Sequence, residues 1–510
     1  MSRGVQSPGV QSPGIQSPGV QSPGVQNLEA RTGLDPWVQA ELPDAPMPTG
    51  LGWAKVVGPG VIVLGLSLGS GEFLLGPTAF VRYGMSLLWI TLVAVFFQTI
   101  FNTELMRYTL ATGEPVFTGF MRTRPGRAFW AWVYVAMYFV QVGWPYSAGL
   151  SAGAIFFLAT RRIAGPADAS TIYQLGVGTF LVCIVLLMLG RRIERTLELL
   201  NWVMVVCILG GFLALALYFV PAATWAAAGV GFFGFDLPRG TFSFLPGNDF
   251  LLLAALAGYS GAGGMVNIAL SSWARDKGYG MGQRAGYIPA AVGGHKVNLA
   301  HTGFIFTPTP ENMRRWHGWW RIVRADQWGI FFAGAMLGMV LPAVLYVTLL
   351  PSGANIQGLG MAAALASAVG TRSGAAAGAV VAMLAAWILL KTQLDIIESM
   401  VRSITDIIWT GSHRARALSR GDVRVVYYGA LAIVCVWGIV ALRLAQPIML
   451  LMLAANIAGA VFTIASVHLL YLNTRLLPRA LQPPLWRRVA LVGMACFYGL
   501  FTFLSIRALV

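Results

Sequence analysis

Charge is scarce in this 510-residue chain: Asp, Glu, Lys and Arg make up 11% of it and hydrophobic residues 57%, whereas about a quarter of an ordinary soluble domain is charged. That balance cannot cover a water-facing surface, which excludes a soluble globular protein. Cysteine is nearly missing as well. The four present, Cys183, Cys207, Cys435 and Cys496, all stand inside apolar runs without paired spacing, which excludes a disulfide framework or a cysteine metal cluster. Histidine is equally thin: of five, His295, His301, His317 and His413 fall in polar connections and only His468 in an apolar run. No HExxH or GxSxG pattern occurs, so an enzyme acting inside a membrane would lack its nucleophile, base or metal set. The chain reads as a non-enzyme with no resident cofactor.

What the chain has in abundance is long apolar runs. A helix needs roughly 20 apolar residues to cross a hydrocarbon layer, where every backbone N–H and C=O must be satisfied internally. About eleven such runs are present by that criterion, near 56–76, 85–107, 129–158, 172–190, 199–220, 250–271, 328–350, 376–400, 425–442, 446–472 and 488–506. The predicted fold class is all-α, a polytopic transmembrane helical bundle. Residues 1–50 precede it. Their GVQSP repeats, rich in Pro, Gly, Ser and Gln, bury nothing and predict a disordered tail without the apolar core of a signal peptide.

Acidic residues number 19 against 35 Lys and Arg, a formal net charge of +16. Such an excess attracts nucleic acid when it gathers on one face, but here it is sorted by loop. With a cytoplasmic N-terminus, the inner loops collect Arg122, Arg124, Arg127, Arg191, Arg192, Arg195, Arg275, Lys277, Arg314, Arg315, Arg321, Arg324, Arg414, Arg416, Arg475 and Arg488 among others. The outer loops hold only Arg82, Arg161, Arg162, Arg239, Arg372 and Arg443. This is the positive-inside asymmetry. It predicts an integral, multi-pass protein of the cell membrane with the lipid bilayer as partner, no nucleic acid, and a C-terminus outside. The Trp-rich stretch RRWHGWWRIVR suits either the anionic inner leaflet or an ordinary inner loop.

Two runs are interrupted by glycine at matching places. In GPGVIVLGLSLGSGEFLLGP, Gly65, Gly69 and Gly71 surround Ser67, Ser70 and Glu72; in GYSGAGGMVNIAL, Gly258, Gly261, Gly263 and Gly264 stand beside Tyr259, Ser260 and Asn267. Paired glycine-broken spans point to an inverted-repeat transporter with its substrate at the midplane, although small residues also serve plain helix packing. Spans one and six would then each open a five-helix repeat, residues 51–222 and 245–473, followed by an extra helix over 486–508. A carboxylate such as Glu72 in hydrocarbon costs several kcal/mol unless paired, hydrated or protonated, so it marks a functional site. In LLKTQLDIIESMVRS, Lys391, Asp395, Glu398 and Arg402 stack on one helix face, either as a paired stripe or with Asp395 or Glu398 as a proton relay. Glu104 beside Arg107 is a further relay candidate or a helix-end ion pair. Asn102, Asn201, Asn456 and His468 read as interhelical hydrogen-bond partners.

On GPGVIVLGLSLGSGEF, VNIALSS, QTIFNTELMRYTLATGE and SSWARDKGYGMG, the chain resembles the natural resistance-associated macrophage protein (Nramp) family of divalent metal transporters, over roughly 50–510. The resemblance implies a LeuT-like 5+5 inverted repeat with discontinuous first and sixth spans. It also implies metal transport by alternating access. The family's Asp-Pro-Gly-Asn motif falls on Gly69, Ser70, Gly71 and Glu72, and its Met-Pro-His-Asn motif on Gly264, Met265, Val266 and Asn267. The aspartate and the soft thioether ligand are absent. The donors that remain are oxygens: Glu72 and Asn267, with Ser67, Ser70, Tyr259, Ser260 and the backbone of Gly69, Gly71, Gly261 and Gly264, a set suited to a hard divalent cation. The expected function is divalent cation transport of the Mn, Mg or Fe class, with H⁺ or Na⁺ as the coupling ion. The alternative is a symporter for an amino-acid-like solute, held by the positive ends of half-helices.

Overall fold

Apolar runs that can leave no backbone group unpaired become helices, and helices account for nearly all regular structure in the computed structural model. It describes residues 33–188, 193–245, 249–288, 299–354, 358 and 360–509; the side chains of Ser70 and of residues 193–196 lie outside that description. Among the described residues, ten helical stretches are long and apolar enough to cross a membrane. They are Pro59–Tyr83, Met85–Thr112, Arg127–Thr160, Pro166–Met188, Leu197–Phe219, Pro310–Leu349, Ala375–Gly411, Val423–Ala441, Pro447–Arg475 and Leu485–Arg507. The remaining expected span, the sixth, is two half-helices, Phe250–Tyr259 and Met265–Lys277. The protein is an integral, multi-pass helical bundle.

The packing repeats with an offset of five spans. The start of the first span lies on the fifth, and the first half of the sixth lies on the tenth. The end of the first span lies on the seventh, and the second half of the sixth lies on the second. The third packs on the eighth and the fourth on the ninth. Each of these pairs maps onto another, or onto itself, when five is added, as two five-helix repeats require. The eleventh span stands outside this scheme, against the tenth and the first half of the sixth.

The eighth span is 37 residues long, about 55 Å at 1.5 Å per residue, so it overshoots a 30 Å hydrocarbon layer. Its overshoot carries Glu398, Arg402 and Asp406 at the bundle's basic end. There they meet the end of the sixth span in a buried network: Arg402 pairs with Glu398 and Asp276, and Arg275 pairs with Asp276 (2.6 Å) and Asp406. The Trp273 indole donates to Glu398 (2.7 Å). The expected stripe of alternating charge is therefore two i,i+4 pairs, Lys391–Asp395 and Glu398–Arg402, the second extended across to another helix.

Residues 1–32 of the expected disordered tail lie outside the described residues, and for residues 33–50 the expectation is corrected. Val38–Gln39 pair in parallel with Phe304–Ile305, and Trp37 and Leu42 are buried. The Trp319 indole and Arg315 donate to Pro43 O (2.9 Å) and Leu42 O (3.0 Å). Burial of two large apolar side chains outweighs the polar character of this stretch. The same contacts involve the Trp-rich stretch. In Pro310–Arg324, Trp316 and Trp319 turn into the protein, so this helix packs on its own chain, with Arg314 left exposed.

Glu114, between the second and third spans, is the hub of this basic end. It accepts from Arg122 (2.6 Å), the Tyr108 hydroxyl (2.6 Å) and Gly303 N (2.8 Å). Burial pushes its carboxyl up, but Arg122 and the Tyr108 hydrogen bond outweigh that and leave it below the usual range. A carboxyl lowered by folding stabilises above its unfolded pKa and loses that contribution as pH falls through the folded value. Glu114→Gln is therefore expected to cost about 3 kcal/mol at neutral pH. The gap between wild type and variant should close below about pH 4, as read by thermal midpoints across pH.

Candidate functional site

The first span stays helical through Ser70, then loosens into a single π-helical turn, Gly71–Leu75, before resuming as Gly76–Tyr83. The expected discontinuity of the first span, which its glycines and serines put at Ser67–Gly71, is thus corrected to a milder interruption four residues further on, the kind of local bulge that concentrates at functional sites. The glycines serve close approach. A Cβ on Gly65 would stand 1.6 Å from Asn201 Oδ1, one on Gly69 1.9 Å from Thr392 Oγ1, and one on Gly71 1.6 Å from Tyr259 O. Ser67 donates to Leu64 O (2.8 Å) and stands beside the Glu72 carboxylate. The side chain of Ser70 is outside the described residues.

The sixth span breaks fully. Ser260 is extended, and Gly261, Gly263 and Gly264 have φ of 98°, 89° and 62°, a region that costs other residues strain. Gly71 abuts Tyr259 O, and Glu72 Oε1 accepts from Gly261 N (3.1 Å). The two interruptions predicted from glycine spacing therefore touch each other directly.

Two glutamines that sequence reasoning passed over stitch the break. Gln98 of the second span accepts from Ala262 N (3.1 Å) and donates to Ser260 O (2.6 Å) and the Tyr498 hydroxyl (2.9 Å). Gln141 of the third accepts from Met265 N (2.8 Å) and donates to Gly263 O (3.0 Å). Their signal was present: each is a lone amide in the middle of an apolar run, VAVFFQTIF and AMYFVQVGW. Tyr259 takes a hydrogen bond from Tyr146 (3.1 Å), and Ser260 shares one with Thr91 (3.1 Å).

Asn267, one turn past the break, donates to Asn102 Oδ1 (2.9 Å) and Gln98 Oε1 (3.3 Å). Glu72, Ser260 and Asn267 are fully buried, so the site is closed. Its hydrogen-bond accounting is uneven. Glu72 Oε2 and Asn267 Oδ1, both acceptors, have no partner, and on the donor side Asn102 Nδ2 is likewise unpaired. Among the described residues no three His, Cys, Asp or Glu side chains cluster to hold a metal, so an ion here would rest on one carboxylate and neutral oxygens. A cavity of about 390 Å³ lies at the far end of the first span, lined by Phe80, Tyr83, Ser86, Asp236 and Arg239 among others.

The relay candidates lie apart from the break. Asp395 pairs with Lys391 through Oδ1, while Oδ2 has no partner; neighbouring Thr392 packs on Gly69. Both Glu398 oxygens are taken, by Arg402 and Trp273. Glu104 is likewise saturated by Arg107 (2.7 Å), Arg487 (2.9 Å) and Asn473 (3.2 Å). The isolated polar residues bridge helices: Asn456 donates to Leu251 O (3.1 Å), Asn201 approaches Asp395, and His468 bonds Tyr134 and Thr123 (2.8 Å each). Asp326 stands in the π-helical part of the seventh span. It accepts from Gly58 N (2.9 Å) and Gly60 N (2.8 Å), capping the first span from the seventh.

No protein-family model and no curated protein matches the chain. Solved structures do. A histidine-to-alanine mutant of the Eremococcus coleocola manganese transporter is 17% identical, with a TM-score of 0.59, covering 91% of this chain and 88% of that one. The same transporter in complex with an aromatic bis-isothiourea substituted compound is 17% identical, with a TM-score of 0.61, covering 93% and 91%. At that identity the likeness shows the fold alone: the chain shares the helical-bundle fold of these structures.

Proposed function

We propose that this chain is a secondary active transporter that moves a hard divalent cation, of the manganese or magnesium class, across the cell membrane by alternating access. The observation that carries the reading is the hydrogen-bond accounting at the break. An amino-acid-like substrate needs free backbone amides for its carboxylate, yet the amides of Gly261, Ala262 and Met265 are taken by Glu72, Gln98 and Gln141. The leftover carboxylate and amide oxygens of Glu72 and Asn267 are the oxygen donors that hard cations take. A fold shared with manganese transporters supports the same reading.

Spans one, two, six and seven would rock against three, four, eight and nine. The Asp326 clasp then travels within the moving body. The Arg275–Asp276–Glu398–Arg402–Asp406 network joins the moving sixth span to the fixed eighth and closes the inner path. The basic loops support a cytoplasmic position for that end, with the N-terminus inside and the C-terminus outside. Uptake of labelled Mn²⁺ and of labelled amino acids into proteoliposomes tests the proposal: saturable metal uptake is the expected result, and amino-acid uptake without metal uptake would replace it with the solute symporter.

H⁺ is the coupling ion in this scheme, and Asp395 carries it, because it alone among the relay candidates keeps an unbonded carboxylate oxygen beside the first span. Asp395→Asn is expected to retain cation binding while losing the stimulation of uptake by an inward pH gradient. A gradient response equal to the wild type's would transfer the role elsewhere.

A further inference from the structure

At the basic end, the tenth span (Pro447–Arg475) and the eleventh (Leu485–Arg507) are joined by a tightly fastened connection. Gln482 donates to Thr474 O (2.9 Å) and Leu477 O (3.0 Å), and its own oxygen accepts from Arg488 (3.3 Å). Arg488 also donates to Pro483 O (2.8 Å). These bonds pose its guanidinium at a cleft of about 580 Å³ lined by Leu470, Thr474, Arg475, Arg488, Val489 and Val492. Arg475 is exposed on the same cleft.

Neighbouring arginines have opposite assignments here. Arg487 turns inward to Glu104 (2.9 Å) and Thr103 (2.6 Å). Arg475 and Arg488, by contrast, have no carboxylate within ion-pair distance among the described residues. Apart from Thr474, whose hydroxyl donates to Leu470 O (2.7 Å), the rest of the cleft is hydrocarbon, and it continues along the helices into the exposed side chains of Val489, Val492 and Val467, the surface a membrane covers. Two uncompensated guanidinium groups at the mouth above an apolar wall complement one kind of molecule, a phosphate diester attached to acyl chains. Guanidinium groups bind phosphate through paired N–H donors, and anionic lipids gather at basic inner surfaces.

We propose that this cleft binds an anionic phospholipid, its phosphate between Arg475 and Arg488 and an acyl chain along Leu470, Val489 and Val492. The site has a route to the break. The eleventh span also carries Tyr498, which accepts from Gln98, the glutamine that holds Ser260 O and Ala262 N. A lipid seated at the foot of that span steadies the brace of the central site.

Native mass spectrometry of the purified full chain, titrated with phosphatidylglycerol or phosphatidylcholine, tests the assignment. Phosphatidylglycerol adducts are expected to persist at activation energies that strip phosphatidylcholine. Arg475→Gln combined with Arg488→Gln should weaken phosphatidylglycerol binding about tenfold or more. Arg475→Lys combined with Arg488→Lys should retain most of it, and Arg314→Gln, an exposed basic site elsewhere, should leave it unchanged. Equal retention of the two lipids, undiminished binding in the double Gln variant, or an equal loss in Arg314→Gln would overturn the proposal. Displacement of the lipid by millimolar inorganic phosphate would overturn the acyl-chain half of it.

Discussion

Glu72→Gln is expected to weaken divalent-cation binding by at least about 100-fold, because second-shell partners of a metal alone are worth 10–100-fold and Glu72 is proposed as a direct ligand. The substitution preserves volume, and its amide oxygen can still accept from Gly261 N, as Oε1 does at 3.1 Å. What disappears is the capacity of Oε2, the buried oxygen without a partner, to carry the negative charge that a bound cation takes. Calorimetric titration with Mn²⁺, Mg²⁺, Ca²⁺ and Cd²⁺ reads the effect directly. An unchanged thermal midpoint in the absence of metal separates loss of the site from loss of the fold. Cation binding equal to that of the wild type would remove Glu72 from the site.

Arg402→Leu is expected to be the most destabilising single change. Arg402 is fully buried and pairs with both Glu398 and Asp276. Removing the guanidinium leaves Glu398 without its cation and Asp276 with Arg275 alone in a low-dielectric interior, and breaking one buried pair already costs about 3–5 kcal/mol. Leu fills part of the volume but satisfies neither oxygen. A fall of roughly 3–5 °C or more in the thermal midpoint follows for a chain of this size. Glu398→Gln combined with Arg402→Leu should recover part of it, because the uncompensated charge is then smaller. A wild-type midpoint in the single variant would mean that the network contributes little to the closed state.

The bundle itself was legible because lipid leaves the backbone so few options. Each apolar run of about 20 residues becomes a span. The sixth-span break was legible for an equally direct reason: Gly261, Gly263 and Gly264 adopt positive φ, and glycine is what such a backbone needs. The first span was misread in kind. Gly65 and Gly69 are there to admit Asn201 and Thr392 from neighbouring helices, and composition alone does not distinguish a glycine that frees a backbone from one that makes room.

Gln98 and Gln141 were missed because a lone amide in an apolar run has many uses, and its partner lies more than 120 residues away in the chain. The N-terminal stretch failed for a related reason. Trp37 and Leu42 sit in a polar context, and only the partner surface around Trp319 and Phe304 makes their burial visible.

The most direct test of the central claim is to locate the ion. Crystals of the full chain grown with Mn²⁺, measured at the manganese absorption edge, should show an anomalous peak within about 2.5 Å of a Glu72 carboxylate oxygen, between the π turn of the first span and the break of the sixth. An ordered Mn²⁺ bound elsewhere, with no peak beside Glu72, would contradict the account.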